Sequence, residues 1–349
     1  MVIGSKPEGG VAACYRCVRI YARRSRFVTR LTRGDGMAFD RRTFMGASAA
    51  TGAAVAVAGA TSSPAAAATA PSKGSKTYAF TVMGTTDLHG NVFNWDYFTD
   101  KEFDDKAHND VGLAKISTLV EQVRAEKGRC NTLLIDAGDT IQGTQLSYYY
   151  AKVDPITARR GPVHPMAQAM NAIGYDAAAL GNHEFNYGIP VLRKFEEQCR
   201  FPLLGANALD AKTLRPAFAP YSMHRLRTPH GRDVKVAVLG LTNPGIAIWD
   251  KANVQGKMTF PGLEEQAAKY VPRLRSMGAD VVIVSAHSGS SGTSSYGDQL
   301  PYVENAAGLV AEQVPGIDAI LVGARAHGDP GVPGGRTRRP ARTWCCRSR

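Results

Sequence analysis

At 349 residues the chain has room for one large domain or two ordinary ones, and a hydrophobic content of 44% suffices for a packed core. The formal charge of +12 would suit a nucleic-acid partner, but it is terminal. Residues 1–42 carry a net of +7 and residues 330–349 a net of +6, leaving 26 basic against 27 acidic side chains between them. A core of net charge −1 excludes nucleic-acid binding as the leading function, because the basicity says nothing about what the folded part recognises.

The two ends set the outer boundaries. Asp40-Arg41-Arg42-Thr43-Phe44-Met45 puts an arginine pair before a mildly apolar Ala/Gly/Val run from Gly46 to Ala60, and Pro64 and Ala66-Ala67-Ala68 close it with small residues. This is similar to a twin-arginine secretion signal, too short and too weakly apolar to span a membrane. The other reading of the run is an alanine-rich helix. Met37 stands where such signals begin, so residues 1–36 are expected to be an over-annotated upstream segment, 37–68 the signal and 69–77 a linker. Cys14 and Cys17 lie upstream without a second ligand pair, a weak sign of zinc or redox chemistry. Residues 330–349 are rich in Pro, Gly and Arg, show neither helix nor strand period, and are expected to be a basic, out-of-frame tail. The domain proper is expected over 78–329, in an exported protein.

Within it, strands and helices alternate. Tyr78–Met83 is β-branched and aromatic and exits into Thr85-Thr86-Asp87-Leu88-His89-Gly90-Asn91. Asp110–Lys127 carries apolar residues at three- and four-residue spacing and predicts a helix closed by Gly128. The strand Thr132–Asp136 exits into Ala137-Gly138-Asp139-Thr140, and a helix over Pro165–Ile173 leads to a short strand over Tyr175–Ala179. That strand exits into Leu180-Gly181-Asn182-His183-Glu184-Phe185-Asn186-Tyr187-Gly188. A helix over Val191–Gln198, strands over Phe201–Asn207 and Val234–Gly240, and a helix over Gly262–Met277 follow. The strand Val281–Val284 exits into Ser285-Ala286-His287; after a helix over Glu304–Gln313, the strand Ala319–Val322 exits into Gly323-Ala324-Arg325-Ala326-His327.

This alternation argues an α/β fold with much parallel sheet, in which ligands bind beyond the carboxyl ends of strands. Five strand ends carry candidates: Asp87 with His89, Asp139, Asn182 with His183, His287, and His327. Imidazole, carboxylate and amide donors without thiolate suit zinc, manganese or iron. Two ions sharing Asp139 would hold a bridging hydroxide and clamp both oxygens of an in-line displacement at phosphorus. His183 can protonate a leaving oxygen or steady phosphoryl charge. Read alone, Gly-Asn-His-Glu is equally a polar turn, and Asp139 an Asx turn.

Together these motifs resemble the calcineurin-like metallophosphoesterase superfamily and its secreted 5′-nucleotidase branch, from about Thr81 to Gly323. The resemblance implies a β-sandwich flanked by helices and two divalent ions held by Asp87, His89, Asp139, Asn182, His287 and His327. It also implies a catalytic His183 and a nucleotide or other phosphate-ester substrate. Thr85–Asn91, His164-Pro165-Met166 and Gly181–Gly188 look most like the bacterial 2′,3′-cyclic-nucleotide 2′-phosphodiesterase/3′-nucleotidases. Relatives of the 5′-nucleotidase type usually carry Asp where this chain has Asn186; an Asp would raise the histidine's pKa, whereas Asn186 only orients it.

Two departures stand out. The family has Gly-His-x-His after the last strand, and here Ala324-Arg325 occupies the first histidine's place; a shifted register puts His327 there and Asp329 near the second. The family also continues into a C-terminal domain that stacks the base on aromatic rings, and that domain is expected to be missing here. Three readings stay open: a cyclic-nucleotide phosphodiesterase/3′-nucleotidase, a 5′-nucleotidase of the same branch, and a truncated chain that binds metal and catalyses little. Cys130 and Cys199 are a candidate disulfide of an exported protein.

Overall fold

Side-chain alternation decides how the layers stack. In the strand Tyr78–Thr85, Phe80 and Val82 face one way and Met83 the other; in Thr132–Asp136, Leu133 and Ile135 face one way and Leu134 the other. Phe80, Val82, Leu133 and Ile135 pack against Val236, Val238, Val281 and Ile283 of a second sheet. Met83 and Leu134 instead meet Leu113, Ile116, Met170 and Phe195 from helices on the first sheet's outer face. On the second sheet Val282 and Val284 meet Leu263, Tyr270, Leu274 and Val310. The result is two sheets face to face with helices outside each, as the resemblance implied.

The computed structural model describes residues 78–323 apart from 107, 229–232, 291–293 and 295–299, and the backbone of three upstream strands, Val2–Ile3, Arg16–Ala22 and Val28–Thr29. The segment read as a signal, the linker, and residues 324–349 with Arg325, His327 and Asp329 lie outside the described residues.

In the first sheet Tyr78–Thr85, Thr132–Asp136, Ala177–Ala179 and Leu203–Leu204 run parallel in that order, with Arg16–Ala22 antiparallel to the Tyr78–Thr85 edge. In the second, Asp233–Leu241, Val281–His287 and Ala319–Gly323 are parallel and Tyr221–Arg227 pairs antiparallel with Asp233–Leu241. The sandwich thus gathers its parallel strand ends along one rim.

Several elements differ from expectation for local reasons. The first helix is Leu113–Lys127, because Gly112 stands at φ 99° and Val111 gives its N–H to the Asn94 side chain. Only Leu203–Leu204 of Phe201–Asn207 is strand: Gly205 and Ala206 cross over, donating to Ala219 and to Gly240 of the other sheet. The helix expected from Glu304 begins at Ala307, since Ser288 Oγ donates to Glu304 O and accepts from Ala306 N. Cys130 is exposed, Cys199 half-buried, and both are free thiols.

Candidate active site

The strand Val281–His287 runs three residues beyond its apolar stretch, and the period of two explains the use of those residues. Ser285 and His287 continue the inward face of Val281 and Ile283. Ser285 Oγ donates to Asp136 O at 3.0 Å, and His287 Nδ1 pairs with Ala137 O at 2.7 Å, joining the two sheets at the rim. A carbonyl can only accept, so Nδ1 carries a proton and Nε2 is the ring atom turned toward the cluster.

Opposite it, the loops leaving the first sheet are bonded to one another. Asp87 N, His89 N and Gly90 N donate to the carbonyls of Gly138, Asp139 and Thr140 at 2.9, 2.9 and 2.8 Å. His183 N donates to Asp139 Oδ1 at 2.8 Å. Asp87, His89 and Asp139 all sit in the left-handed region, at φ 54°, 46° and 63°. Such conformations cost about 1–3 kcal/mol each and persist where the surroundings over-determine them.

Glu184 is the organiser that sequence reasoning missed. Its buried carboxylate accepts four backbone N–H groups: Asp139 at 2.9 Å and Gly181 at 2.6 Å on Oε2, Thr140 at 2.5 Å and Ile141 at 3.3 Å on Oε1. Burial and the Asp139 charge push its carboxyl pKa up, against the pull of those donors. Asp136, also fully buried, accepts from Thr85 Oγ1, Gly138 N and Thr140 Oγ1; burial nonetheless raises it to about 7. The signal for Glu184 was its place inside the Gly-Asn-His-Glu run.

The site follows from this scaffold. Ligand atoms of Asp87, Asp139 and His287 lie within 4.8 Å of one another. His89 Nε2 is 3.9 Å from Asp87 Oδ1, His183 Nε2 is 4.0 Å from Asp139 Oδ2, and the two rings meet edge-on with centroids 5.1 Å apart. Asn182 heads the turn at His183–Phe185. Five of the expected residues therefore converge, Asn182 is carried to the same turn, and His327 falls outside the described residues.

A divalent cation fits these residues. His287 Nε2, wholly buried, comes within 2.9 Å of Asp139 Oδ2 yet has no partner in hydrogen-bond geometry. His287 Nε2 and the carboxylates of Asp139 and Asp87 thus face one point, walled by buried His287 and Asp139 and open on the side of Asp87. Without a cation the cluster compensates by protonation. Burial alone would lower the His287 pKa, but Asp139 beside it raises it to about 10; Asp139 is held far below the usual carboxylate range by His287, His183 and His89 despite its own burial.

Behind His183 stands a second chain of contacts. His183 Nδ1 meets Asn186 Oδ1 at 2.6 Å, and Asn186 Nδ2 donates to Asp250 Oδ1 and Oδ2 at 2.9 and 3.1 Å. Asn186 thus stands between the histidine and Asp250. Asp250, 64 residues away in sequence, gave no signal.

The Calcineurin-like phosphoesterase family profile matches residues 80–323. The chain is 39% identical over 249 residues to the 2′,3′-cyclic-nucleotide 2′-phosphodiesterase/3′-nucleotidase of Salmonella typhimurium, covering 69% of this chain and 36% of that one. It is 37% identical over 254 residues to the trifunctional nucleotide phosphoesterase YfkN of Bacillus subtilis, covering 71% of this chain and 16% of that one. A crystal structure of calcineurin-like phosphoesterase YfkN from Bacillus subtilis superimposes with a TM-score of 0.60 at 36% identity, over 69% of this chain and 70% of that one. The chain spans about a third of the length of the Salmonella protein. With the family profile running from Phe80 through the parallel strands of both sheets and every described strand end that carries a candidate ligand, the chain belongs to the calcineurin-like phosphoesterase family.

Proposed function

We propose that this chain is the phosphoesterase domain of an exported hydrolase that uses two divalent ions to cleave 2′,3′-cyclic nucleotides and 3′-nucleotides. The convergence of Asp87, Asp139 and His287 within 4.8 Å, beside His183, carries this reading. Asp87, His89, Asp139, Asn182 and His287 would hold the ions, with Asp139 shared. When bound, these ions supply Lewis acidity toward phosphoryl oxygens and activate water at neutral pH. Donors lacking thiolate favour zinc, manganese or iron.

The chain's own groups do the rest. His183, with Nδ1–H directed at Asn186, turns Nε2 toward the metal cluster, where in its protonated form it donates to the leaving sugar oxygen. The buried Glu184 keeps Asp139 and the 181–183 turn in register before any substrate arrives. Asn186 in place of an Asp favours the cyclic-nucleotide and 3′-nucleotide activity of the Salmonella relative's name over 5′-nucleotidase activity. The Arg41-Arg42 pair before an Ala/Gly/Val run supports export by the twin-arginine route, and among the described residues no helix is long and apolar enough to cross a membrane.

Turnover of 2′,3′-cyclic AMP, 3′-AMP and 5′-AMP with manganese or zinc tests this, with His183→Ala beside the parent chain. We expect hydrolysis of the first two, and in His183→Ala a loss of roughly 10²–10⁴-fold with metal content intact. Activity on 5′-AMP alone would favour a 5′-nucleotidase, and metal binding without turnover a chain that catalyses little.

A further inference from the structure

The turn at His183–Phe185 is a single short 3-10 helix, and a helix of that length does not hold itself, so what grips it decides where the histidine points. Its incoming side is fixed by the loops of the first sheet. Glu184 accepts Gly181 N, and His183 N donates to Asp139 Oδ1. Phe185 is fully buried, with its ring edge-on to Phe218 and Phe260 at centroid distances of 6.5 and 5.3 Å. The outgoing side presents two carbonyls: Phe185 O, which accepts Gly188 N at 2.9 Å, and Asn186 O.

Asn253 answers both. Its Nδ2 donates to Phe185 O at 2.9 Å and to Asn186 O at 3.3 Å, with Asp250 Oδ1 3.4 Å away. Oxygens on every side fix the orientation of this amide, because only its NH₂ group can satisfy them. Asn253 lies on the short helix Lys251–Val254, carried by the segment that leaves the second sheet after Leu241. Ile246 and Val254 bury that segment in the same core as Phe185. Asp250, just ahead of the helix, holds the Asn186 side chain. The turn is thus gripped from both ends. Loops that bear candidate metal ligands hold its start, and a segment of the second sheet that carries none of them holds its end.

We propose that Asn253 is a positioning residue for leaving-group protonation: by fixing the Phe185 and Asn186 carbonyls it aims His183, in concert with Asp250. The proposal rests on the phosphoesterase reading for the role of His183. It divides the site into two halves that the fold supports separately. Attack at phosphorus depends on residues held by Glu184 and the loops of the first sheet. Departure of the sugar oxygen depends on a histidine whose turn is closed by Asn253. Loss of the Asn253 amide therefore costs each substrate in proportion to its leaving group's need for a proton.

The test uses the full chain with manganese and sets Asn253→Ala and Asn253→Asp beside the parent. Asp keeps the shape but turns an oxygen toward two carbonyls and a carboxylate. In both variants kcat for 3′-AMP is expected to fall roughly 10- to 100-fold, the scale of a catalytic group displaced by about an ångström, with KM and bound metal unchanged. p-Nitrophenyl phosphate, whose leaving group needs no proton, should lose roughly threefold or less. Both esters are read on one preparation, so a smaller folded fraction leaves their ratio untouched. In a His183→Ala background, adding Asn253→Ala should cost little more on 3′-AMP, since residues that act as a unit are not additive. Equal losses on the two esters, or a full further loss in the His183→Ala background, overturns the proposal. Hydrogen exchange over residues 183–188 reads the turn without turnover. It should speed up in Asn253→Ala while residues 139–141, bonded to Glu184, stay protected; unchanged exchange also overturns the proposal. A parent chain that hydrolyses neither ester would count against the phosphoesterase reading, with the turn still judged by exchange.

Discussion

Asp250 decides which way Asn186 faces. Both carboxylate oxygens accept from Asn186 Nδ2, so the amide oxygen must turn to His183, and the histidine must keep its proton on Nδ1. The neutral Asn thereby acts as a spacer between a buried acid and the imidazole. Burial raises the Asp250 pKa, and the bonds from Asn186 and Asn253 work against that rise.

Removing Asp250 should therefore matter most where leaving-group protonation matters most. In Asp250→Ala, turnover of 3′-AMP is expected to fall roughly tenfold or more, part of the range for a lost general acid. p-Nitrophenyl phosphate, whose phenolate leaves without help, should lose much less. An equal loss on both esters, with metal content unchanged, would show that Asp250 does not act through His183.

In the cluster with Asp87 and His287, Asp139 Oδ2 lies 2.9 Å from His287 Nε2 and 4.0 Å from His183 Nε2, and under the two-ion proposal it would serve both ions. Asp139→Ala should reduce bound metal by more than His89→Ala does, as read by elemental analysis after dialysis. Equal losses would count against a shared carboxylate.

His287 gives the metal affinity a pH dependence with a definite sign. In the metal-free protein its pKa is raised to about 10 by Asp139 against the effect of burial, so at neutral pH the ring is protonated. An ion at Nε2 must displace that proton. Apparent affinity should rise about tenfold per pH unit toward pH 10, with about one proton released per ion bound there. Calorimetry in buffers of different ionisation enthalpy measures the release, and His287→Ala should abolish it. Metal binding without proton release would remove His287 from the ligand set.

Glu184→Gln keeps the side chain's size but replaces an acceptor oxygen with an N–H donor facing backbone N–H groups. A destabilisation of about 2–3 kcal/mol is expected from unmet buried donors, measured as a lower denaturant midpoint at constant m-value. An unchanged midpoint would mean that the loops hold together without it.

The strand ends were readable in sequence because their chemistry is concentrated: Asp87 with His89, Asp139 and His183 each follow a short apolar run directly. What escaped was set by distant partners. Asp250 lies after Trp249 in a stretch with no periodicity, and only the fold brings it to Asn186. The hairpin at Trp95–Asp96 and Lys101–Glu102 has two-residue strands, too short for alternation to show. The strand ending at His287 was read as stopping at Val284, because hydropathy falls at Ser285 while the hydrogen bonds to Asp136 and Ala137 keep the chain extended.

Gly138 and Gly181 are where the two central loops cross. Gly138 stands at φ 99°, a Cβ there would strike the backbone of Gly181, and a Cβ on Gly181 would strike the Asp139 carboxylate. Backbone in contact with backbone leaves the loops no slack to open or close around an incoming ion. Ion binding in such a site does no work of ordering, unlike a zinc finger, whose chain collapses around its metal. The ion is then an exchangeable part: a chelator should strip it without melting the sandwich, and a different divalent ion should take its place without rearrangement. Which metal the protein carries would follow its surroundings as much as its sequence, and activity measured after purification would report the last ion supplied.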